Sequence, residues 1–224
     1  ISHNKDESVE RARTLISLYN ELNVPKERVL IKLSATWEGI QAAEILEKEG
    51  IRTNLTLVFH MIQAVACAER GITLISPFVG RVNDSYTKKT GLTYSFESEP
   101  GVLLVRNIFN YFKKFDHKTI IMGASLRSTG SCYELAGCDK LTIPPNVLEL
   151  MQSEKVSVEK KLIVEEAKKL SLEKIDTSDE KEFKKILSED EIARDLLNNG
   201  IDAFIKDVIK VEELIAKKLA GLNQ

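Results

Sequence analysis

Cysteine, histidine and unbalanced charge are all scarce in this sequence. Of its 224 residues, three are cysteine and three are histidine. Cys67, Cys132 and Cys138 are odd in number and form no Cys-x-x-Cys pair. That argues against a disulfide framework or a zinc site, and for reduced thiols in the cytoplasm. His3, His60 and His117 show no metal-ligand spacing and read as solvated or packed side chains. The 32 basic and 34 acidic residues leave a net charge of -2, so nothing in the balance suggests a nucleic-acid partner. No apolar run approaches the ~20 residues of a membrane span, and Ile1-Ser-His-Asn-Lys5 lacks the apolar core of a secretion signal. No strand-like run is followed by a glycine-rich phosphate or dinucleotide loop. Gly123-Ala-Ser125 lacks the Gly-x-Ser-x-Gly elbow of a serine hydrolase. With 43% hydrophobic residues and no low-complexity linker, a single domain over 1–224 is expected. The chain begins without Met and enters a helical pattern at once, so it is expected to be a piece of a longer protein.

What is present is an alternation of short apolar runs and helical periods. Val9, Ala12, Leu15, Ile16 and Tyr19 predict a helix over 7–22, broken at Asn23-Val-Pro25. Val29 to Ile31 is a short β-branched run, read as a strand buried on both faces and ending at Lys32. Ile40, Ala43 and Leu46 predict a helix over 37–48, stopped by Gly50. Strand 51–57, helix 60–69 and strand 72–78 follow, so that Lys32, Asn54 and Ser76 recur every 22 residues. Such βα repeats imply parallel strands with right-handed crossovers. Residues 80–99 read as the longest irregular stretch. Beyond them come helix 100–115, strand 119–122, loop 123–130 with a short helix, and strand 140–143. From about 145 to 224 the chain reads as a helical extension, strongest at 145–152, 180–187 and 189–220. The class is α/β. The architecture expected is a (β/α)8 TIM barrel lacking its first three βα units, and the competing one is a complete five-stranded doubly wound fold.

Residues two apart on a strand share a face. Asn54 and Thr56 therefore point one way and Leu55 and Leu57 the other, with Ser76 and Phe78 sharing a face on the next strand. An amide and hydroxyls aimed inward are costly unless they serve a purpose. Taken alone, a strand-end lysine reaches solvent and a serine satisfies itself on the backbone. Together on successive strands, Lys32, Asn54, Thr56 and Ser76 suggest a site. A lysine on a buried strand has its pKa driven down, which yields the free amine that attack on a carbonyl requires. After the fourth strand, Ser125 and Arg127 place a hydroxyl and a guanidinium near a helix start, chemistry suited to a phosphate that Arg81 could join.

Lys32-Leu-Ser-Ala-Thr-Trp-Glu-Gly-Ile-Gln-Ala-Ala-Glu44, Asn54-Leu-Thr-Leu57, Ile75-Ser-Pro-Phe-Val-Gly-Arg81 and Met122-Gly-Ala-Ser-Leu-Arg127, in this order, resemble transaldolase. The resemblance implies a class I aldolase barrel of the non-oxidative pentose phosphate pathway, with no metal or organic cofactor and often a homodimer. Lys32 then matches the Schiff-base lysine. Asn54 and Thr56 match residues that hydrogen-bond substrate and help position a catalytic water, and Ser76 and Phe78 match the site's lining. Arg81, Ser125 and Arg127 match sugar-phosphate contacts. Implied substrates are sedoheptulose 7-phosphate, fructose 6-phosphate, glyceraldehyde 3-phosphate and erythrose 4-phosphate. Family members carry three further barrel strands upstream, holding an acid/base aspartate, an asparagine and a glutamate with no counterpart here. The chain as given is therefore expected to be impaired. The alternatives are a fragment that only binds sugar phosphate, or a related fructose-6-phosphate aldolase.

Overall fold

A computed structural model describes residues 4–222. The first helix, α1 (Lys5–Glu21), is capped by the Asn4 side chain, which accepts from the Glu7 N–H. Five strands follow in sequence: β1 (Ile31–Ser34), β2 (Thr53–Val58), β3 (Leu74–Pro77), β4 (Ile120–Gly123) and β5 (Lys140–Leu141). They pair in parallel in the spatial order β1-β2-β3-β4-β5. This uninterrupted order contradicts a doubly wound sheet, whose order reverses at a switch point. Crossovers of one hand stepping in one direction put all the helices on a single face of the sheet. Those helices are α2 (Trp37–Lys48), α3 (Met61–Glu69), α4 (Val79–Thr90), α5 (Pro100–Lys114) and α6 (Thr129–Glu134). On the helix-covered face Leu55, Ile75 and Ile121 are fully buried, packed with Ile40, Leu46, Val65 and Phe112. This α/β arrangement, a five-stranded parallel sheet in sequential order, is consistent with a TIM-barrel family.

One end of the sheet is fastened by a single carboxylate. Glu47 of α2 accepts hydrogen bonds from the Thr53 N–H (2.8 Å) and hydroxyl (2.6 Å), and from the Thr73 N–H (2.8 Å) and hydroxyl (2.8 Å). It thereby ties the starts of β2 and β3 to one helix. At the opposite end of β2, Leu57 interrupts the ladder. Thr56 pairs with Ser76 but Val58 with Pro77, leaving Leu57 as an extra residue with φ 58°. A leucine in this region is strained.

Four expectations need correction. Residues 80–99 are not mainly irregular, because α4 runs from Val79 to Thr90 and closes at Gly91, whose φ is 69°. Its only buried residues are Val79, Gly80 and Val82, so its apolar stripe is too short to register as a period. It persists by docking on α5 and on the last helix, α10 (Glu191–Leu222). The C-terminal part is also less helical than expected. Between α7 (Pro145–Ser153), α8 (Val164–Lys169) and α9 (Glu180–Glu189) lie non-helical spans at 154–163 and 170–179. These spans are held by tertiary bonds that no local pattern encodes. The Ile175 N–H donates to the Tyr111 hydroxyl, and Arg70 donates to the Thr177 carbonyl. The 22-residue spacing holds only once: Lys32 pairs with Asn54, but Asn54 pairs with Leu74, so Ser76 sits one step higher, beside Thr56. Finally, β1 is an edge strand and is not buried on both faces, since Lys32 is exposed while Ile31 and Leu33 are covered.

Candidate active site

The uncovered face of the sheet carries the polar residues. Lys32 and Ser34 of β1 alternate with Ile31 and Leu33, and the register aligns Lys32 with Asn54, and Ser34 with Thr56 and Ser76. Two rungs result, an amine with an amide below and three hydroxyls above. Asn54 is 8% exposed, Thr56 1% and Ser76 2%. Ser76 donates to Asn54 Oδ1 at 2.8 Å, linking the rungs across β2 and β3. The Ser34 and Thr56 hydroxyls are buried without a protein partner.

The face is partly roofed by α10. Phe204 brings its ring centroid to 6.0 Å from Lys32 Nζ. Lys32, Thr56, Phe204, Val208 and Val211 line a cavity of about 480 Å³, with Asp207 and Glu212 also on its wall. The Lys32 pKa is lowered, first by burial of the amine under this roof and second by the positive charge of Arg81. The residue is exposed overall, and Phe204 of α10 is the aromatic ring that stands over its amine.

Arg81 lies in the first turn of α4, half-buried, with its guanidinium carbon 5.0 Å from the Phe78 ring centroid. Phe78 in turn meets Phe59 edge-on at 5.8 Å. Ser125 follows β4 in a left-handed conformation, φ 59°, and its carbonyl accepts from the Gly80 N–H at 2.9 Å. The stem of Arg127 fills the space where a Gly80 Cβ would stand, 2.5 Å from Arg127 Cγ. Gly80 is thus the point at which the Arg81 helix and the Ser125–Arg127 loop touch. The Arg127 guanidinium itself is exposed and paired with Asp84 at 3.1 Å. Lys32, Asn54, Thr56, Ser76 and Arg81 are brought together, whereas Arg127 stands at the rim.

Sequence reasoning missed two parts of this site. Ser34 was readable, since it lies two residues beyond Lys32 and must share its face. The α10 roof left only the spacing of Phe204, Val208, Val211 and Ile215 as a signal. Two histidines take structural places: His60 caps α3 through Nδ1, and His117 packs between Tyr111 and Phe112. His3 lies outside the described residues. A second cleft, of about 500 Å³, lies beside Glu44, Arg70 and Thr177. There Arg70 is already engaged by Thr177 and stacked at 4.9 Å on Trp37.

A parallel sheet presenting a pKa-lowered amine among an amide and hydroxyls defines an α/β protein with the kind of site on which Schiff-base chemistry is built. The profile of the transaldolase/fructose-6-phosphate aldolase family matches residues 1–215. The chain is 49% identical over 223 residues to the transaldolase of Acidobacterium capsulatum, covering 100% of this chain and 67% of that protein. It is 48% identical over 223 residues to the transaldolase of Gloeobacter violaceus, covering 100% of this chain and 57% of the relative. A probable transaldolase of Drosophila melanogaster is 53% identical over 218 residues, 96% of this chain and 65% of that protein. The chain belongs to the transaldolase/fructose-6-phosphate aldolase family. It spans about two thirds of the length of these relatives, or less.

Proposed function

We propose that this chain forms the Schiff-base part of a transaldolase, moving a dihydroxyacetone unit from sedoheptulose 7-phosphate or fructose 6-phosphate to glyceraldehyde 3-phosphate or erythrose 4-phosphate. The observation that carries the reading is the lowered pKa of Lys32 on one face with Asn54, Thr56 and Ser76. In this reading the Lys32 amine adds to the ketone and water leaves to give an iminium. As the C4 hydroxyl gives its proton to the acid/base aspartate that the resemblance implies, the electron pair of the C3–C4 bond moves into the iminium and the aldose phosphate departs. The enamine left on Lys32 then adds to the second aldose phosphate, whose carbonyl oxygen takes the proton back, and water hydrolyses the resulting iminium to free the ketose phosphate and Lys32. Asn54, with Ser76 fixing its amide, hydrogen-bonds the hydroxyls of the bound sugar, and Thr56 holds water beside the amine. Phe78 walls the site, and Arg81, Ser125 and Arg127 take the phosphate, with Arg127 leaving Asp84 to do so.

The sequential strand order and the unpaired edge of β1 support an eight-stranded barrel of which residues 1–224 supply the last five units, with the helices after 145 as an extension of the same domain. The resemblance puts the acid/base aspartate on a strand ahead of Ile1. General acid–base help is worth ~10²–10⁴-fold, so residues 1–224 alone work slowly. No helix among the described residues is long and apolar enough to cross a membrane. In this reading the free thiols of Cys67, Cys132 and Cys138 support a cytoplasmic protein, and the resemblance to a family with many homodimers supports a homodimer.

Borohydride reduction tests the reading. Fructose 6-phosphate with reductant should add covalent mass at Lys32, and Lys32→Ala should abolish it. Phosphate binding without trapping in the parent would leave only a binding protein. The matched family also covers fructose-6-phosphate aldolase, which makes release of free dihydroxyacetone the second reading. Product formed without an acceptor aldose phosphate would favour it.

A further inference from the structure

We propose that Glu99 is a positioning residue for the phosphate grip, holding the two arginine-bearing elements at a fixed angle to each other. The inference rests on the reading of Arg81, Ser125 and Arg127 as the phosphate-binding residues, and adds to them a group that touches no substrate. Glu99 stands immediately before α5 and is half-buried. Its Oε2 accepts from Asn83 Nδ2 of α4 at 2.7 Å and from the Ser131 hydroxyl of α6 at 2.6 Å. Through Oδ1, Asn83 also accepts from the Gly101 N–H at 2.7 Å, so its amide is committed at both ends. Ser131 is 1% exposed, and its hydroxyl also meets that of Ser128 at 2.7 Å.

Both donors adjoin the phosphate residues. Asn83 follows Arg81 by two residues on α4, and such residues lie about 200° apart around a helix axis. The tie at Asn83 therefore holds α4 by the side away from Arg81. Ser128, which the Glu99–Ser131 bond reaches, caps α6 and directly follows Arg127. The same two elements also meet through backbone, where the Val79 and Gly80 N–H groups donate to the Ala124 and Ser125 carbonyls, each at 2.9 Å. These adjacent bonds sit together at the start of α4 and act as one hinge. A second tie, away from the first, is what fixes the angle. Phe96, three residues before Glu99, braces the loop that carries it: a Cβ on Gly130 would stand 2.2 Å from its ring.

The consequence is selective. A phosphate ester is gripped where both guanidiniums converge on it, and a grip assembled in advance avoids the ordering cost of assembling it on binding. The amine end of the site is held separately. Lys32, Asn54 and Thr56 stand on strands tied by their own ladder, and Ser76 bonds Asn54. Removing the Glu99 carboxylate therefore loosens the phosphate end and leaves the ketone end as it is.

The test uses the full-length protein and borohydride trapping on Lys32 with two ketones, fructose 6-phosphate and the phosphate-free dihydroxyacetone. In Glu99→Ala the fructose 6-phosphate concentration for half-maximal trapping should rise ~10-fold, while the maximal rate and the trapping of dihydroxyacetone stay within ~2-fold of the parent. Glu99→Gln keeps an acceptor oxygen for both donors and should bring fructose 6-phosphate back to within ~3-fold. Should Glu99→Ala not fold, Ser131→Ala cuts the tie at α6 alone and should give the same selective rise. An unchanged half-saturation overturns the proposal, as does an equal loss with dihydroxyacetone or a glutamine variant as impaired as the alanine one. Inorganic phosphate titrated by calorimetry reads the grip without Schiff-base chemistry, and Glu99→Ala should bind it ~10-fold more weakly than the parent. Equal binding, or none in the parent, overturns the proposal. A parent that traps neither ketone loses the Schiff-base reading, and the phosphate titration then decides on Glu99 by itself. A parent that traps both, with Glu99→Ala indistinguishable from it, loses the role of Glu99 alone.

Discussion

Replacing Glu47 probes how the sheet is held at the end away from the amine. Its carboxylate takes four hydrogen bonds at 2.6 to 2.8 Å, two from backbone N–H groups and two from threonine hydroxyls. Hydrogen bonds to a charged group contribute about 1.5–3 kcal/mol each, and a stranded buried donor costs about 1–3 kcal/mol. Glu47→Ala strands the Thr53 and Thr73 N–H groups together. The hydroxyl of Thr53, a residue fully buried, is stranded with them. Shared geometry makes the four bonds less than additive, so the expected loss is about 3–5 kcal/mol against a typical total of about 5–15 kcal/mol. Glu47→Gln keeps one oxygen for the three donors now on Oε1 and turns its NH2 toward the Thr73 hydroxyl, which can rotate to accept. Only the charge is lost, about 1–2 kcal/mol. Equilibrium unfolding in urea at neutral pH reads both as shifts in midpoint at constant slope. An alanine variant within 1 kcal/mol of the parent, or a glutamine variant as damaged as the alanine one, would refute the reasoning.

Three further outcomes follow from the site. The rate of sugar trapping on Lys32 should rise with pH through a midpoint below that of an ordinary lysine, and Arg81→Ala should move the midpoint upward, because removing the neighbouring cation lets Lys32 keep its proton. The same shift affects stability. A lysine whose folded pKa lies below its unfolded value of 10.5 binds more protons when unfolded, so stability rises with pH between the two values. Lys32→Met should accordingly stabilise the fold at pH 7, by an amount that shrinks as the pH approaches 10.5, as read by melting temperature across pH. Gly80→Ala would set a methyl 2.1 Å from the Ser125 carbonyl oxygen. It should cost about 3 kcal/mol or more by breaking the 2.9 Å Gly80–Ser125 bond, and weaken phosphate-ester binding with it.

Strands β2 to β4 were legible as short apolar runs bounded by breaks, and Lys32 and Asn54 keep the spacing of one βα unit; β1 instead starts at Ile31 and runs through Lys32 to Ser34, past the 29–31 run expected to end at Lys32. Ser76 was placed on the correct face but one rung too low, since the length of the connection through α3 is not fixed by periodicity. A shift of two residues keeps the face, so the error did not disturb the grouping. Helix α4 escaped notice because only Val79, Gly80 and Val82 are buried. The lowering of the Lys32 pKa by burial was expected from its strand; the Phe204 ring of α10 over the amine was not, because that contact joins residues far apart in sequence. Leu57 was assigned to the helix side with Leu55, and the extra residue at the bulge turns it instead toward α10. A Cβ on Gly200 would stand 2.7 Å from Leu57 Cδ2.

That last contact has a mechanical consequence. Leu57 is fully buried with φ 58°, a posture that an isolated strand would abandon. Gly200, lacking a side chain, lets α10 press directly on it and hold it there. The strained turn beside Thr56 is thus braced from outside the sheet, by a residue more than a hundred positions further along the chain.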